Sequence, residues 1–122
     1  MPSDQPPQSV SEFLDGTGAV SVLLEIGMGA KRFSDLEDAL SLSSATLTER
    51  LKGGETLGLW EKHLYQEEDY PTRYRLTEKG EHVMDEMREL DLPHHIVKMR
   101  TYREEVESRT EQLREWADEE GL

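Results

Sequence analysis

The sequence predicts a mainly α-helical fold with one small β-hairpin and a long helix at the C-terminal end. Three observations predict it. Apolar residues recur at helical spacing in the first half of the chain and again after Thr77. Between these stretches, the aromatic-rich WEKHLY (60–65) is followed by RYRL (73–76), which alternates cation and apolar residue as a half-buried strand does. Finally, Leu92, Met99, Val106 and Leu113 repeat at sevens through the last segment.

The opening MPSDQPPQSV is proline-rich and polar and reads as a loose arm over residues 1–9. A first helix is expected near Ser9 or Ser11, broken by Gly16 and Gly18. A second follows from Thr17, with Val20, Leu23, Leu24 and Met28 at core spacing and Gly27 and Gly29 near its end. KRF (31–33) is long enough only for a bridge strand. Ser34 and Glu37 have capping-box spacing for a short helix whose buried stripe is Leu36, Ala39 and Leu40. After a turn at 41–43, Ser43 is a good N-cap for a helix running to about Thr56. Two short helices across so tight a turn make a helix-turn-helix unit. The pair Gly53-Gly54 should cost that second helix ~1 kcal/mol per glycine, so fraying or close packing is expected there.

Residues 60–65 and 73–76 then form the hairpin, with QEEDYPT (66–72) as its loop. Thr77 caps a helix reading EKGEHVMDEMREL, ended by Leu92-Pro93. The last helix runs from His94 to about Glu120. Its heptad residues Leu92, Met99, Val106 and Leu113, with Tyr102 and Trp116 in the d-like positions that follow Met99 and Leu113, form a dimerisation seam that Arg109 leaves imperfect. This order is that of a winged helix-turn-helix domain at residues 10–91, with a C-terminal dimerisation helix at 92–122.

Composition narrows the function classes. The 122 residues carry 14 Lys+Arg against 27 Asp+Glu, a formal net charge of −13, with 34% hydrophobic residues and no cysteine. Disulfides, thiolate metal sites and thiol redox sensing by this chain are excluded. No apolar run is long enough for a membrane span and no signal-peptide pattern opens the chain, so a cytoplasmic protein without a membrane partner is expected. Scattered acid with little lysine is expected of a protein from a halophile, where ordinary surfaces salt out, the alternative being an ordinary acidic protein. The acid is uneven: residues 31–80 hold 8 Lys+Arg against 10 Asp+Glu, nearly neutral within a strongly negative chain. A surface facing nucleic acid belongs there.

RFSDLEDAL, LSSATLTERL, LGLW and YPTRYRLTEKG together resemble the HxlR type of winged-helix regulator, a relative of the MarR and PadR groups. Arg32, Phe33, Leu36, Ser43, Thr46, Leu47, Thr48, Arg50, Leu51, Gly58, Leu59, Tyr74, Leu76, Thr77 and Gly80 fall in place on the family pattern. The resemblance covers roughly residues 30–80. It implies a homodimeric transcription regulator that binds double-stranded DNA. The acidity, size and lack of cysteine are further similar to the haloarchaeal members that govern oxidative-stress responses. The chain departs from the pattern in lacking an N-terminal sensing cysteine, in Gly53-Gly54, and in a wing tip that holds Glu67, Glu68 and Asp69.

A helical wheel centred on Leu47 puts Leu51 and Gly54 on the buried face of the reading helix. Ala45, Glu49, Lys52 and Thr56 lie opposite. Ser44, Ala45, Thr46, Thr48 and Glu49 are therefore the candidate base readers, since the N-terminal residues of such a helix reach base edges. Lys52, Arg73 and Arg75 are candidates for phosphates, whereas Arg50 on the flank serves either as base reader or as structural ion-pair partner. Lys31, Arg32 and Lys62 are weaker candidates. Two reading helices would recognise half-sites about one turn, ~10 bp, apart. Acids within that face predict bound monovalent cations between protein and phosphates, and a flattened or reversed salt dependence. The alternative reading is a winged-helix protein–protein module of the transcription machinery.

No catalytic constellation is present, and an enzyme is not expected. Adjacent His94 and His95 diverge on a helix, and neither His63 nor His82 has suitable partners at i+3 or i+4, so no metal site or other cofactor is expected. No small-molecule ligand signature is evident.

Overall fold

The computed structural model describes residues 6–66 and 72–122. Six helices and a two-stranded antiparallel sheet follow in the order α1 (Val10–Leu14), α2 (Ala19–Gly27), α3 (Phe33–Ala39), α4 (Ser44–Thr56), β1 (Trp60–Leu64), β2 (Thr72–Leu76), α5 (Glu78–Glu89) and α6 (Leu92–Glu119). The chain divides into two compact units, Met1–Glu86 and Met87–Leu122. No described helix is long and apolar enough to cross a membrane.

In the first unit the core is built from Phe13 of α1, Ala19, Val22, Leu23, Leu24 and Ile26 of α2, Leu36 of α3, Leu47 and Leu51 of α4, and Trp60 of β1. Helix α1 starts on Ser9, whose hydroxyl accepts from the Glu12 amide. The break expected at Gly16 and Gly18 is present. Within α2 two expectations shift: Met28 is 60% exposed and Ile26 takes the core position. The helix ends at Gly27, so Met28 is its C-cap and points away from the packed turns.

Helix α3 begins earlier than the Ser34–Glu37 spacing suggested. Arg32 occupies the N-cap position, and its amide donates to the Asp35 carboxylate at 2.9 Å. That amide bond, reinforced by the Arg32 guanidinium, holds the Asp35 carboxyl below its ordinary value against the opposing pull of burial. Leu36 and Leu40 are buried, but Ala39 is exposed. The Lys31 bridge is present: Lys31 and Tyr74 exchange amide–carbonyl bonds of 2.9 and 2.7 Å.

The hairpin pairs Trp60 with Leu76, Glu61 with Arg75, Lys62 with Tyr74, His63 with Arg73 and Leu64 with Thr72. The acidic wing tip at 67–69 lies outside the described residues. The sequence LTEKG locks β2 and α5 onto the end of α4. Thr77 Oγ1 donates to the Gly58 carbonyl and accepts from the Gly80 amide at 3.1 Å. Lys79 Nζ donates to the Leu57 carbonyl at 2.7 Å, placing a cation at the negative end of α4. A Cβ at Gly80 would collide with the Leu59 carbonyl, so only glycine lets these backbones meet.

In the second unit α6 starts at Leu92, two residues before the expected His94. Pro93 sits in its first turn, where a missing amide costs nothing. Asp91 precedes it in the left-handed region at φ 56°. Met99, Tyr102, Val106, Leu113 and Trp116 are between 51 and 63% exposed, and Leu92 is half-buried.

Candidate nucleic-acid interface

Helix α4 starts where Ser43 caps it. The Ser43 hydroxyl accepts from the Thr46 amide at 3.1 Å and donates to Thr46 Oγ1 at 2.9 Å. Leu47, Leu51, Gly53 and Gly54 are buried. The opposite flank holds Ser44, Ala45, Thr48, Glu49, Lys52 and Thr56, all exposed. Thr46 is half-buried, its side chain committed to Ser43. Hydroxyls, small methyls, the Glu49 carboxylate and the single Lys52 cation thus make up the outward face, which suits hydrogen bonding and methyl contact with base edges.

Ser44 carries a contact the sequence did not suggest. Its hydroxyl donates to Glu37 of α3 at 2.6 Å, which places a carboxylate beside the N-terminal turn of α4. The seven-residue separation crosses the turn between the helices, so no single helical period could have shown it.

Arg50 leans inward. Its Nε donates to the Thr17 carbonyl at 2.8 Å, Nη1 lies 3.7 Å from Glu49, and its side chain is 20% exposed. It bridges α4 to the turn before α2, the structural one of its two candidate roles.

The two wing arginines share a face with Glu61 and His63 and differ in setting. Arg75 is exposed, while Arg73 is half-buried with its guanidinium 5.4 Å from the Tyr65 ring centre. Glu61 is held below its ordinary value by the hydrogen bond from His63 at 2.8 Å, against the pull of burial, with the charges of His63 and lastly Arg75 adding to it. On the other face Lys62 sits 5.8 Å from the ring centre of Tyr74, whose hydroxyl burial pushes up. Of the weaker candidates, Lys31 donates to the Gly29 carbonyl at 3.3 Å and Arg32 to Asp35. All three have local partners.

The glycine pair gains a physical account. Gly54 lies against the Trp60 ring, and a Cβ there would overlap it. Trp60 Nε1 donates to the Leu51 carbonyl at 2.9 Å, and its ring meets Phe13 edge-on at 5.6 Å. Gly53 faces Pro7 and Phe13. Close packing, rather than fraying, is what these glycines serve.

Residues 13–94 match the family described as HxlR-like helix-turn-helix. An uncharacterized HTH-type transcriptional regulator of Synechocystis is 37% identical over 79 residues, which is 64% of this chain and 58% of that protein. The chain therefore spans little more than half the length of this curated relative. The reduced form of the transcriptional regulator YodB from Bacillus subtilis superposes with a TM-score of 0.61 at 27% identity, covering 70% of this chain and 84% of that one. A possible HxlR family transcriptional factor from Thermoplasma volcanium gives 0.62 at 26% identity, covering 77% and 85%. The mostly helical fold with its two-stranded hairpin is thus a winged helix-turn-helix, and the matched relatives are transcription regulators rather than enzymes.

Proposed function

The chain belongs to the HxlR-like helix-turn-helix family of transcription regulators, and on that premise we propose that it acts as a homodimer reading a palindromic operator with α4. One observation carries the reading: the flank of α4 with Ser44, Ala45, Thr48, Glu49 and Lys52 is exposed while Leu47 and Leu51 are buried. Arg75, and Arg73 beside it, contact phosphates from the wing. The exposed seam on α6 supports pairing of two copies, and their separation sets half-sites about 10 bp apart.

The same reading extends to a cytoplasmic protein of a haloarchaeon working at high salt. A net charge of −13 per chain opposes approach to DNA, and Glu37 and Glu49 stand at the reading helix itself. Monovalent cations held between these carboxylates and phosphates offset the repulsion, so affinity falls little, or rises, with salt. A role in the oxidative-stress response fits by resemblance. With no cysteine, the signal would come through methionine thioethers or another molecule.

Selection of bound duplexes from a random pool tests the reading. Enrichment of a palindrome, lost on reversing Lys52, Arg73 and Arg75 to Glu, is expected; recovery of no preferred sequence by the intact protein overturns it. Affinity measured from low to multimolar KCl tests the cation claim, which a steep ordinary loss with salt would sink.

A further inference from the structure

We propose that Glu37 of α3 and Ser44 of α4 act as one couple that accepts hydrogen bonds but has none to give, and that this couple selects cytosine at the operator position it meets. The proposal rests on the reading of α4 given above. It adds to that reading a specificity-determining residue from outside the reading helix.

The polarity follows from which group holds the proton. A carboxylate has no hydrogen to donate, so the Ser44 hydroxyl is the donor in its 2.6 Å bond to Glu37 Oε2. A hydroxyl carries one hydrogen, and this one is spent. Ser44 Oγ then offers only lone pairs to its surroundings, and so does Glu37. Both side chains are exposed. Ser44 is also the first residue of α4, the end of a reading helix that reaches base edges. The neighbouring Ser43 hydroxyl spends its hydrogen on Thr46 Oγ1 at 2.9 Å, so it adds no donor beside the couple.

The four bases answer such a couple differently. In the major groove cytosine presents an amino group and no acceptor. Adenine sets its N7 acceptor beside its amino group, thymine presents a carbonyl oxygen, and guanine presents both O6 and N7. Two adjacent acceptors therefore find their complement in cytosine, meet one opposing lone pair in adenine, and are repelled by guanine and thymine. A lone serine would not discriminate in this way, because its hydroxyl turns to donate or to accept. The carboxylate keeps further lone pairs for the cation proposed above. Glu37 also sets negative charge at the N-terminal end of α4, which steadies the helix. That effect is blind to base identity, so base preference is the quantity to read.

The test selects bound duplexes from a random pool with the intact protein, with Glu37→Gln and with Asp38→Asn. Asp38 is exposed next to Glu37, and its variant removes the same charge without touching the couple. The sequence selected by the intact protein should hold a cytosine whose preference over guanine falls about tenfold in Glu37→Gln, the other positions being kept. Asp38→Asn should leave every position unchanged. N4-methylcytosine still pairs with guanine but turns a methyl into the groove in place of the amino hydrogen. Placed at that position, it should weaken the intact protein about tenfold and Glu37→Ala much less. A selected sequence with no cytosine released by Glu37→Gln, an equal release by Asp38→Asn, or full affinity for the methylated duplex overturns the couple and leaves the reading of α4 standing. An intact protein that prefers no sequence overturns that reading, and the couple with it.

Discussion

The indole Nε1 of Trp60 donates to the Leu51 carbonyl at 2.9 Å while the six-membered part of its ring lies against Gly54. One side chain of the hairpin thereby grips two successive turns of the reading helix. Gly54→Ala should cost about 1–2 kcal/mol, because overpacking against a buried indole outweighs the better helix propensity of Ala. Gly53→Ala should instead gain up to about 1 kcal/mol, since its Cβ would make ordinary 3.4 Å contacts. Urea unfolding followed by tryptophan fluorescence separates the two signs.

Thr77→Val keeps the shape and removes the hydroxyl. The Gly58 carbonyl and Gly80 amide both lose their partner, which should lower stability by about 1–3 kcal/mol. Thermal unfolding measures it, and Thr77→Ser should restore most of the loss.

Asp35 supplies a pH signature. Its carboxyl is depressed below 3.8, chiefly by the Arg32 amide bond. Its contribution is therefore complete above its unfolded value near 3.8 and disappears as pH falls through the lower folded value. Asp35→Asn should flatten the stability profile in that acid window and leave the profile at neutral pH parallel to wild type. Chemical unfolding across the acid range checks it.

Base reading and phosphate contact separate by substitution. Thr48→Ala should relax preference at one operator position at a cost of about 1 kcal/mol. Arg75→Gln should weaken binding about equally on all sequences and shift the salt dependence. Titrations against an operator and its single-site variants distinguish them.

Val106→Glu with Leu113→Glu places two carboxylates on the exposed α6 seam. On the proposed homodimer, sedimentation should find the unchanged chain as a dimer and this variant as a monomer, with helical content preserved.

Much of this was legible from short-range pattern. Ser43 as N-cap and the inward Leu47 and Leu51 follow from capping chemistry and a 3.6-residue period, because both are local. The start of α3 was not. Ser34–Glu37 and Arg32–Asp35 have the same spacing, and the extended backbone at Arg32 that follows the Lys31–Tyr74 bridge selects the second. Arg50 was ambiguous for a similar reason, since its acceptor at Thr17 lies 33 residues away. The two glycines were conspicuous, but their cause is the position of Trp60 and of Pro7 and Phe13.

Trp60 and the Thr77–Gly58 bond fasten the hairpin to opposite ends of a short stretch of α4 and its following turn. Helix α4 and the root of the hairpin are consequently tied at two points. A duplex whose groove width or twist departs from the operator cannot be met by swinging the wing while the helix stays seated. On the proposed reading of α4, the misfit would pass to the whole unit, and DNA shape at bases the wing merely flanks would become part of what is discriminated.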